Sequence, residues 1–397
     1  MRKYYKLTPE GTRDLLFEES NAINSVSSMI NTVFKEKGYH RVITPGLEFF
    51  DTFNLDGFGY MPEEMFISTD KKGRLLVMRP DSTVPIARMV STRLQDESLP
   101  LRLCYNQPIY RNNKALAGKD NEIRQAGMEL IGAGGKRADL ELIISATEIL
   151  RKITPDFRIE LGHAAFLKAI LNKLTVSDEK KEEIRGYIES KNYSALTTLL
   201  DEIPQDETTK ALMKLPRLFG GEEIFAKALP LFKDTEAEYA LFYLKDLYQA
   251  FSKLLPEDKL MIDLGMVQKN DYYSHMTFCG YVEGSGDAVL TGGRYDHLLN
   301  QFQKSICAAG FGINVDELAR IYLNINGTEK SKPADYIVHG EDGFEIEALK
   351  VKEELISKGY TCEYSVFSSE DSARFYAQKN GIKKICVVNV KTRIEEI

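Results

Sequence analysis

Apolar positions recur along the chain first with a helical period and then with that of strands. Ile23, Val26, Ile30, Val33 and Phe34 fall on one stripe, which predicts a helix over Asn21–Lys37, capped by Ser20 or Asn21 and stopped at Gly38. Tyr39–Thr44 follows as a strand ended by Pro45, and Arg74–Met78 as a shorter one. Arg79-Pro80-Asp81-Ser82-Thr83 then opens a second helix. Leu101–Arg111 and Glu122–Ile131 read as a long antiparallel hairpin with a polar tip, Asn112–Asn121. Ala138–Ile153 is helical again and ends before Pro155.

From His163 to about Phe251 the pattern is helical and charged, broken by Pro204, Pro216, Gly220-Gly221 and Pro230, which predicts an inserted helical subdomain. Strand signals resume at Lys259–Leu264, Ser274–Val282 and Ala288–Thr291, and Gly310-Phe311-Gly312-Ile313 runs into a helix over Asp316–Leu323. The polar stretch Asn324–Pro333 predicts a domain boundary. Beyond it Asp335–His339, Phe344–Lys358, Thr361–Ser365, Ser369–Asn380 and Lys384–Asn389 alternate as βαβαβ. The expectation is an α+β chain: a core over 1–325 carrying a helical insertion at about 163–255, and a small α/β domain over 326–397.

Composition narrows the function classes. With 43% apolar and 28% charged residues in 397, the chain reads as globular, neither disordered nor fibrous. Lys+Arg 52 against Asp+Glu 59 leaves a net charge of −7, so no phosphate-tracking surface is advertised. The N-terminus has no signal-peptide apolar segment, and no apolar run approaches the roughly 20 residues that span a bilayer. No membrane role is expected, and the location expected is cytoplasmic. Cys104, Cys279, Cys307, Cys362 and Cys386 are scattered and form no C-x-x-C pair, which predicts reduced thiols.

The common chemical signatures fail on spacing. Gly132-Ala133-Gly134-Gly135-Lys136-Arg137 is no phosphate loop, since Leu130 stands at the first glycine and Arg137 at the Ser/Thr. Gly292-Gly293-Arg294-Tyr295-Asp296 lacks the G-x-G-x-x-G spacing. The histidines His40, His163, His275, His297 and His339 show no metal spacing, and no G-x-S-x-G elbow is present. No metal and no cofactor is expected.

Polar residues that strand geometry places on one face are more informative. Gln125, Gly127 and Glu129 share a face of the second hairpin strand, Gln107 and Arg111 a face of the first, and Asp271 and Tyr273 pair likewise on a later strand. Arg111, Gln125, Glu129 and Tyr273 together make a poor core but a good floor for a small zwitterion, the guanidinium taking a carboxylate and the acids an amine. The competing reading is a buried salt-bridge network in which these residues satisfy one another.

Taken in order, these segments resemble the class II aminoacyl-tRNA synthetase core, and specifically the histidyl-tRNA synthetase family. Gly11-Thr12-Arg13-Asp14-Leu15, and Gly38-Tyr39 with Thr44-Pro45-Gly46-Leu47-Glu48, resemble its start and its dimer-forming first motif. Arg79-Pro80-Asp81-Ser82-Thr83 is similar to its R-P-E-G-T segment, and Tyr110-Arg111 through Gly127-Met128-Glu129-Leu130-Ile131-Gly132 to its second motif. Asp271-Tyr272-Tyr273 and Gly292-Gly293-Arg294-Tyr295-Asp296 resemble its histidine-specific motifs, and Gly310-Phe311-Gly312 its third. The resemblance covers roughly residues 7–325 and implies an antiparallel sheet flanked by helices.

Carried over, it implies that Asp81, Thr83 and Gln125 hold an α-amine, that Arg111 faces the carboxylate, that Glu129 and Tyr273 line the imidazole, and that Tyr295 closes the pocket. It implies the opposite for ATP. Gln268 stands at the family's catalytic Arg, Glu317 at the Arg of the third motif, and Asn113 at an acid of the second. Losing two fixed cations removes stabilisation of the charge that adenylation spreads over phosphates, so no catalytic residue and no adenylation are expected. The chain stops at Ile397, soon after a third C-terminal strand where the family's anticodon-binding domain continues, so tRNA reading is not expected.

A kept histidine pocket with a broken ATP site resembles the family's paralogous branch, the regulatory subunits of ATP phosphoribosyltransferase; Leu161-Gly162-His163 and Leu215-Pro216-Arg217-Leu218-Phe219-Gly220-Gly221, placed in the helical insert, are similar to it as well. That resemblance implies a non-catalytic partner of the short-form catalytic subunit in a hetero-oligomer, a dimer of this chain, and L-histidine as feedback effector in histidine biosynthesis. The alternatives are a working histidyl-tRNA synthetase and a synthetase-like tRNA-binding module.

Overall fold

A computed structural model of the chain describes residues 4–54, 60–114, 118–233, 235–268, 272–327 and 332–397, which fall into two compact units, Met1–Gly327 and Thr328–Ile397. The first helix, α1 (Phe17–Glu36), begins ahead of its predicted start and buries Ala22, Ile23, Val26, Ile30, Val33 and Phe34. Gly38 takes φ +75°, which lets the Tyr39 N–H return to the Phe34 carbonyl at 3.0 Å and end the helix.

The strand predicted over Tyr39–Thr44 shortens to β1 (His40–Arg41). The backbone of Thr44 is engaged elsewhere: its N–H donates to Gln107 Oε1 at 3.2 Å, and its carbonyl accepts from Arg79 at 2.6 Å. Three short strands, β2 (Leu47–Phe49), β3 (Ile67–Thr69) and β4 (Leu75–Met78), form a separate sheet in the order β2-β4-β3, where sequence predicted only the last. After α2 (Thr83–Arg93) comes the hairpin β5 (Leu101–Tyr110) and β6 (Glu122–Ile131), which pairs Gln107 with Gln125 and Tyr110 with Glu122. Helix α3 (Lys136–Ile153) follows.

Next in the chain, β7 (Phe157–His163) corrects an expectation. Leu161-Gly162-His163 lies on a strand of the main sheet and not in a helical insert, because Phe157, Ile159 and Leu161 alternate into the core with Glu160 on the opposite face. Helices α4 (Ala164–Lys173), α5 (Asp178–Glu189), α6 (Tyr193–Asp201) and α7 (Glu207–Lys214), the two-residue strand β8 (Phe219–Gly220), and helices α8 (Glu223–Ala228) and α9 (Glu236–Phe251) make up the insertion. Ser177, Asn192 and Asp206 accept backbone N–H bonds at the starts of α5, α6 and α7.

The chain returns as β9 (Leu260–Asp263), β10 (Met276–Val282), β11 (Leu290–Arg294), β12 (Ala308–Asn314) and α10 (Val315–Asn326). Nine strands form one sheet in the order β1-β5-β6-β12-β11-β10-β7-β9-β8, antiparallel except at β1–β5 and β7–β9. α1, α3 and α10 cover one face, and a continuous apolar core runs from beneath them into the insertion helices. The other face is rich in polar residues and glycine.

In the second unit, β13 (Tyr336–Gly340), α11 (Glu345–Ser357), β14 (Cys362–Tyr364), α12 (Glu370–Asn380) and β15 (Lys384–Val388) give the expected alternation with parallel strands. A fourth strand, β16 (Arg393–Glu396), runs antiparallel to β15 and was not expected from so polar a segment; Arg393 and Arg374 tie it to Glu370 and Glu395. Among the described residues no helix is long and apolar enough to cross a membrane.

Candidate functional site

The polar face of the main sheet is built by register. Glu129 on β6 lies opposite Gly310 on β12, which lies opposite Gly293 on β11; Gly127, Gly312 and Thr291 form the adjacent row. These glycines keep the floor low. A Cβ on Gly312 would meet Gln125 Nε2 at 2.7 Å, and one on Gly293 would meet the Tyr273 ring at 2.8 Å.

Glu129 is completely buried. Its Oε1 accepts from Thr83 Oγ1 at 2.7 Å and its Oε2 from the Tyr295 hydroxyl. Burial pushes its carboxyl up to about 8, against the pull of those two hydrogen bonds. Asp81 ends the segment before α2, and its Oδ1 accepts from the Val84 N–H at 3.0 Å. Burial raises its carboxyl too, with the backbone donors of Val84 and Thr83 and the charge of Arg111 opposing.

Arg111 extends one residue beyond β5, donates Nε to the Pro80 carbonyl at 3.0 Å, and reaches the Tyr60 hydroxyl at 3.4 Å. Gln125 accepts from the Tyr105 hydroxyl at 3.2 Å. The rings of Tyr272 and Tyr273 lie 4.7 Å apart, and Tyr272 meets Tyr295 edge-on at 5.7 Å.

Asp81, Thr83, Arg111, Gln125, Tyr273 and Tyr295 thus line one cavity of about 30 Å³, with Glu129 held between Thr83 and Tyr295 at its edge. That space holds about two water molecules, so anything the size of an amino acid enters only if side chains move. The two readings of this face meet in the geometry. Its polar groups do satisfy one another, but mainly through neutral partners, and Arg111 and Glu129 form no ion pair with each other.

Several expectations need correction. Tyr273 is not on a strand: it sits in the irregular segment before β10, and Asp271 lies outside the described residues. Gln107 shares its strand face but is drawn away, donating to Thr44 Oγ1 at 3.0 Å and Ser82 Oγ at 3.2 Å. Tyr60, Tyr105, Tyr272 and Thr291 also belong to the site and were missed. Tyr105 was within reach of the strand period, lying two residues before Gln107; Tyr60, in a loop, carried no such signal.

The three positions assigned to a lost nucleotide site are engaged locally. Gln268 donates to Cys279 Sγ at 3.2 Å. Glu317 accepts from Arg320 at 2.6 and 2.9 Å, and that pairing holds its carboxyl below the usual range. Asn113 donates to the Asp120 carbonyl at 2.8 Å within the hairpin tip. No cluster of three metal-ligating side chains occurs among the described residues.

Comparison with known proteins follows the same lines. A family model described as histidyl-tRNA synthetase matches residues 11–318. The ATP phosphoribosyltransferase regulatory subunit of Clostridium acetobutylicum is 38% identical over 98% of this chain and 97% of its own length. That of Bacillus mycoides is 35% identical over 100% and 95%. A crystal structure described as an ATP phosphoribosyltransferase regulatory subunit/histidyl-tRNA synthetase from Bacillus halodurans matches with TM-score 0.85 at 25% identity, covering 98% of this chain and 100% of that one. The histidyl-tRNA synthetase of Nostoc sp. PCC 7120 shares the fold, with TM-score 0.77 at 18% identity over 99% and 97%.

Proposed function

Because the chain belongs to the ATP phosphoribosyltransferase regulatory subunits, a family built on the histidyl-tRNA synthetase fold, we propose that it is the non-catalytic partner of a short-form ATP phosphoribosyltransferase catalytic subunit and carries L-histidine feedback on histidine biosynthesis. Histidine occupies the pocket under Tyr272 and Tyr273. Arg111 takes its carboxylate, Asp81, Thr83 and Gln125 its ammonium, Glu129 and Tyr273 its imidazole, and Tyr295 closes the far side.

One observation carries this reading. The amino-acid side of the site is a set of buried acids, an arginine and tyrosines around a small cavity, while Gln268, Glu317 and Asn113 are engaged by local partners and none of the three is a cation. The chain therefore senses histidine without adenylating it. The exposed apolar residues Leu47 and Phe49, on one face of the small sheet, supply the surface through which it dimerises.

Feedback requires that histidine bind one state of the assembly more tightly than the other. The test is inhibition of the reconstituted assembly by histidine with Glu129→Gln and Arg111→Ala chains. Both variants are expected to support catalysis while losing histidine sensitivity. Full sensitivity in either one excludes this pocket as the sensor.

A further inference from the structure

A much larger cavity adjoins the small one. It has a volume of about 670 Å³ and lies between α4 and α5 of the insertion and the segments around Gln268 and Leu298. Tyr272 and Tyr273 line both spaces, so two rings divide them. The large cavity does not touch Arg111, Asn113 or Glu317. Its size is that of a small-molecule site.

Its lining is amphipathic. Leu167, Leu171, Met266 and Leu298 supply apolar walls; Lys168, Lys181 and Arg185 bring three cationic side chains from two helices against two carboxylates, Asp178 and Glu182, and Arg185 pairs with Glu182 and Glu189 at 3.5 Å each. Lys168 is exposed and has no ion pair among the described residues. Among the described residues Lys181 pairs with Asp178 at 3.3 Å, and that carboxylate is 95% exposed, so the pair is screened by water and easily exchanged. Ala164 and Ala165, at the positively polarised start of α4, stand on the same wall.

We infer that this cavity is a second ligand site, which takes a small phosphate monoester with an apolar or aromatic body. The phosphate is held by Lys168, Lys181 and Arg185, and the body packs on Leu171, Met266 and Leu298 beside Tyr272. The inference does not rest on histidine occupying the small pocket.

The test is calorimetric titration of the full chain with AMP, ribose 5-phosphate and adenosine. Saturable binding of AMP is expected, with adenosine at least about tenfold weaker because it lacks the charge-assisted contacts. Ribose 5-phosphate, which carries the phosphate without an aromatic body, is expected to bind more weakly than AMP; binding as tight as that of AMP overturns the role given to Leu171, Met266 and Leu298. The Lys168→Glu/Lys181→Glu chain is expected to lose AMP binding by about tenfold or more, with an unchanged melting temperature. Should that chain melt early, Lys168→Ala, at an exposed position, carries the same comparison. No heat with either phosphate, adenosine binding as tightly as AMP, or AMP binding indifferent to these substitutions overturns the inference. Loss of histidine binding alone touches only the small pocket.

Discussion

The carboxylate of Glu129 lies directly over Gly310, its partner across the β6–β12 ladder, so closely that a Cβ on Gly310 would fall 1.8 Å from Oε2 and 2.5 Å from the Met128 carbonyl. The glycine is required by this approach and not by its backbone conformation, since its φ is not positive. Gly310→Ala therefore displaces the one completely buried carboxylate of the pocket. It is expected to cost about 1–3 kcal/mol of stability and to abolish histidine binding. Urea denaturation and calorimetric titration with histidine check the two effects separately, and a variant that binds histidine normally excludes Glu129 as a contact.

Glu129 also sets a dependence on pH. Its carboxyl titrates near 8 in the folded chain against about 4.5 when unfolded, so between those values the native state holds a proton that the unfolded state has released. The stability this confers is complete below about 4.5 and is lost progressively as pH rises to about 8. In Glu129→Gln that contribution to the slope disappears. Denaturation midpoints at pH 6 and pH 8.5 are expected to fall further in the native chain than in the variant, and parallel falls would show that Glu129 is already ionised at pH 6.

His163 gives the opposite sign at acid pH. It is 7% exposed, it lies beside His275, and burial first and that neighbour second depress its imidazole to about 4 against 6.5 unfolded. Folding excludes a proton that the unfolded chain accepts, so stability present above about 6.5 is lost as pH falls toward about 4. His163→Phe is expected to be less sensitive over that window, measured by thermal melts at pH 7 and pH 4.5. Equal losses in both chains would place the acid sensitivity elsewhere.

What was legible in the sequence follows from how each feature is encoded. The face shared by Gln125, Gly127 and Glu129 needed only the two-residue period of a strand and a hairpin, and both are local. The helix of α1 needed only its apolar stripe. Tyr273 failed because Asp-Tyr-Tyr precedes β10, and nothing in alternation alone says where a strand begins. Residues 157–160 received no element, and Leu161-Gly162-His163 was placed with the helical insert, because a short apolar run reads as either element until its sheet partners β10 and β9 are known. The three-residue strands β2 and β3 are too short for any period to show. Gln107 is the subtler case: its face was right, but a tertiary contact with Thr44 and Ser82 claimed it.

The exposed apolar residues of the small sheet predict an oligomer that can be taken apart. Leu47 is 52% exposed and Phe49 43%, on the same face of β2. A monomer leaves that pair in water beside Leu76 and Met78, their cross-strand partners, and exposed apolar residues grouped on one face are of the kind usually covered by a partner. Leu47→Asp/Phe49→Asp is expected to sediment as a monomer with an unchanged far-ultraviolet spectrum, and the native chain is expected to sediment as a dimer. A native chain that is already monomeric, or a variant that remains dimeric, removes this sheet as the contact.

The last expectation concerns ATP. Adenylation needs fixed positive charge where pyrophosphate departs, and each preorganised donor of that kind typically contributes about 3–4 kcal/mol to the transition state. Here Gln268 is neutral and bonded to Cys279, and Glu317 is an anion closed in a pair with Arg320. Freeing Arg320 by Glu317→Ala does not supply the missing geometry, because its NH2 also donates to the Gly284 carbonyl at 2.6 Å. The native chain and Glu317→Ala are both expected to exchange labelled pyrophosphate into ATP no faster in the presence of histidine than in its absence. Histidine-dependent exchange by the native chain would return it to the working synthetases, and exchange gained only by Glu317→Ala would show that a single acid keeps the site silent.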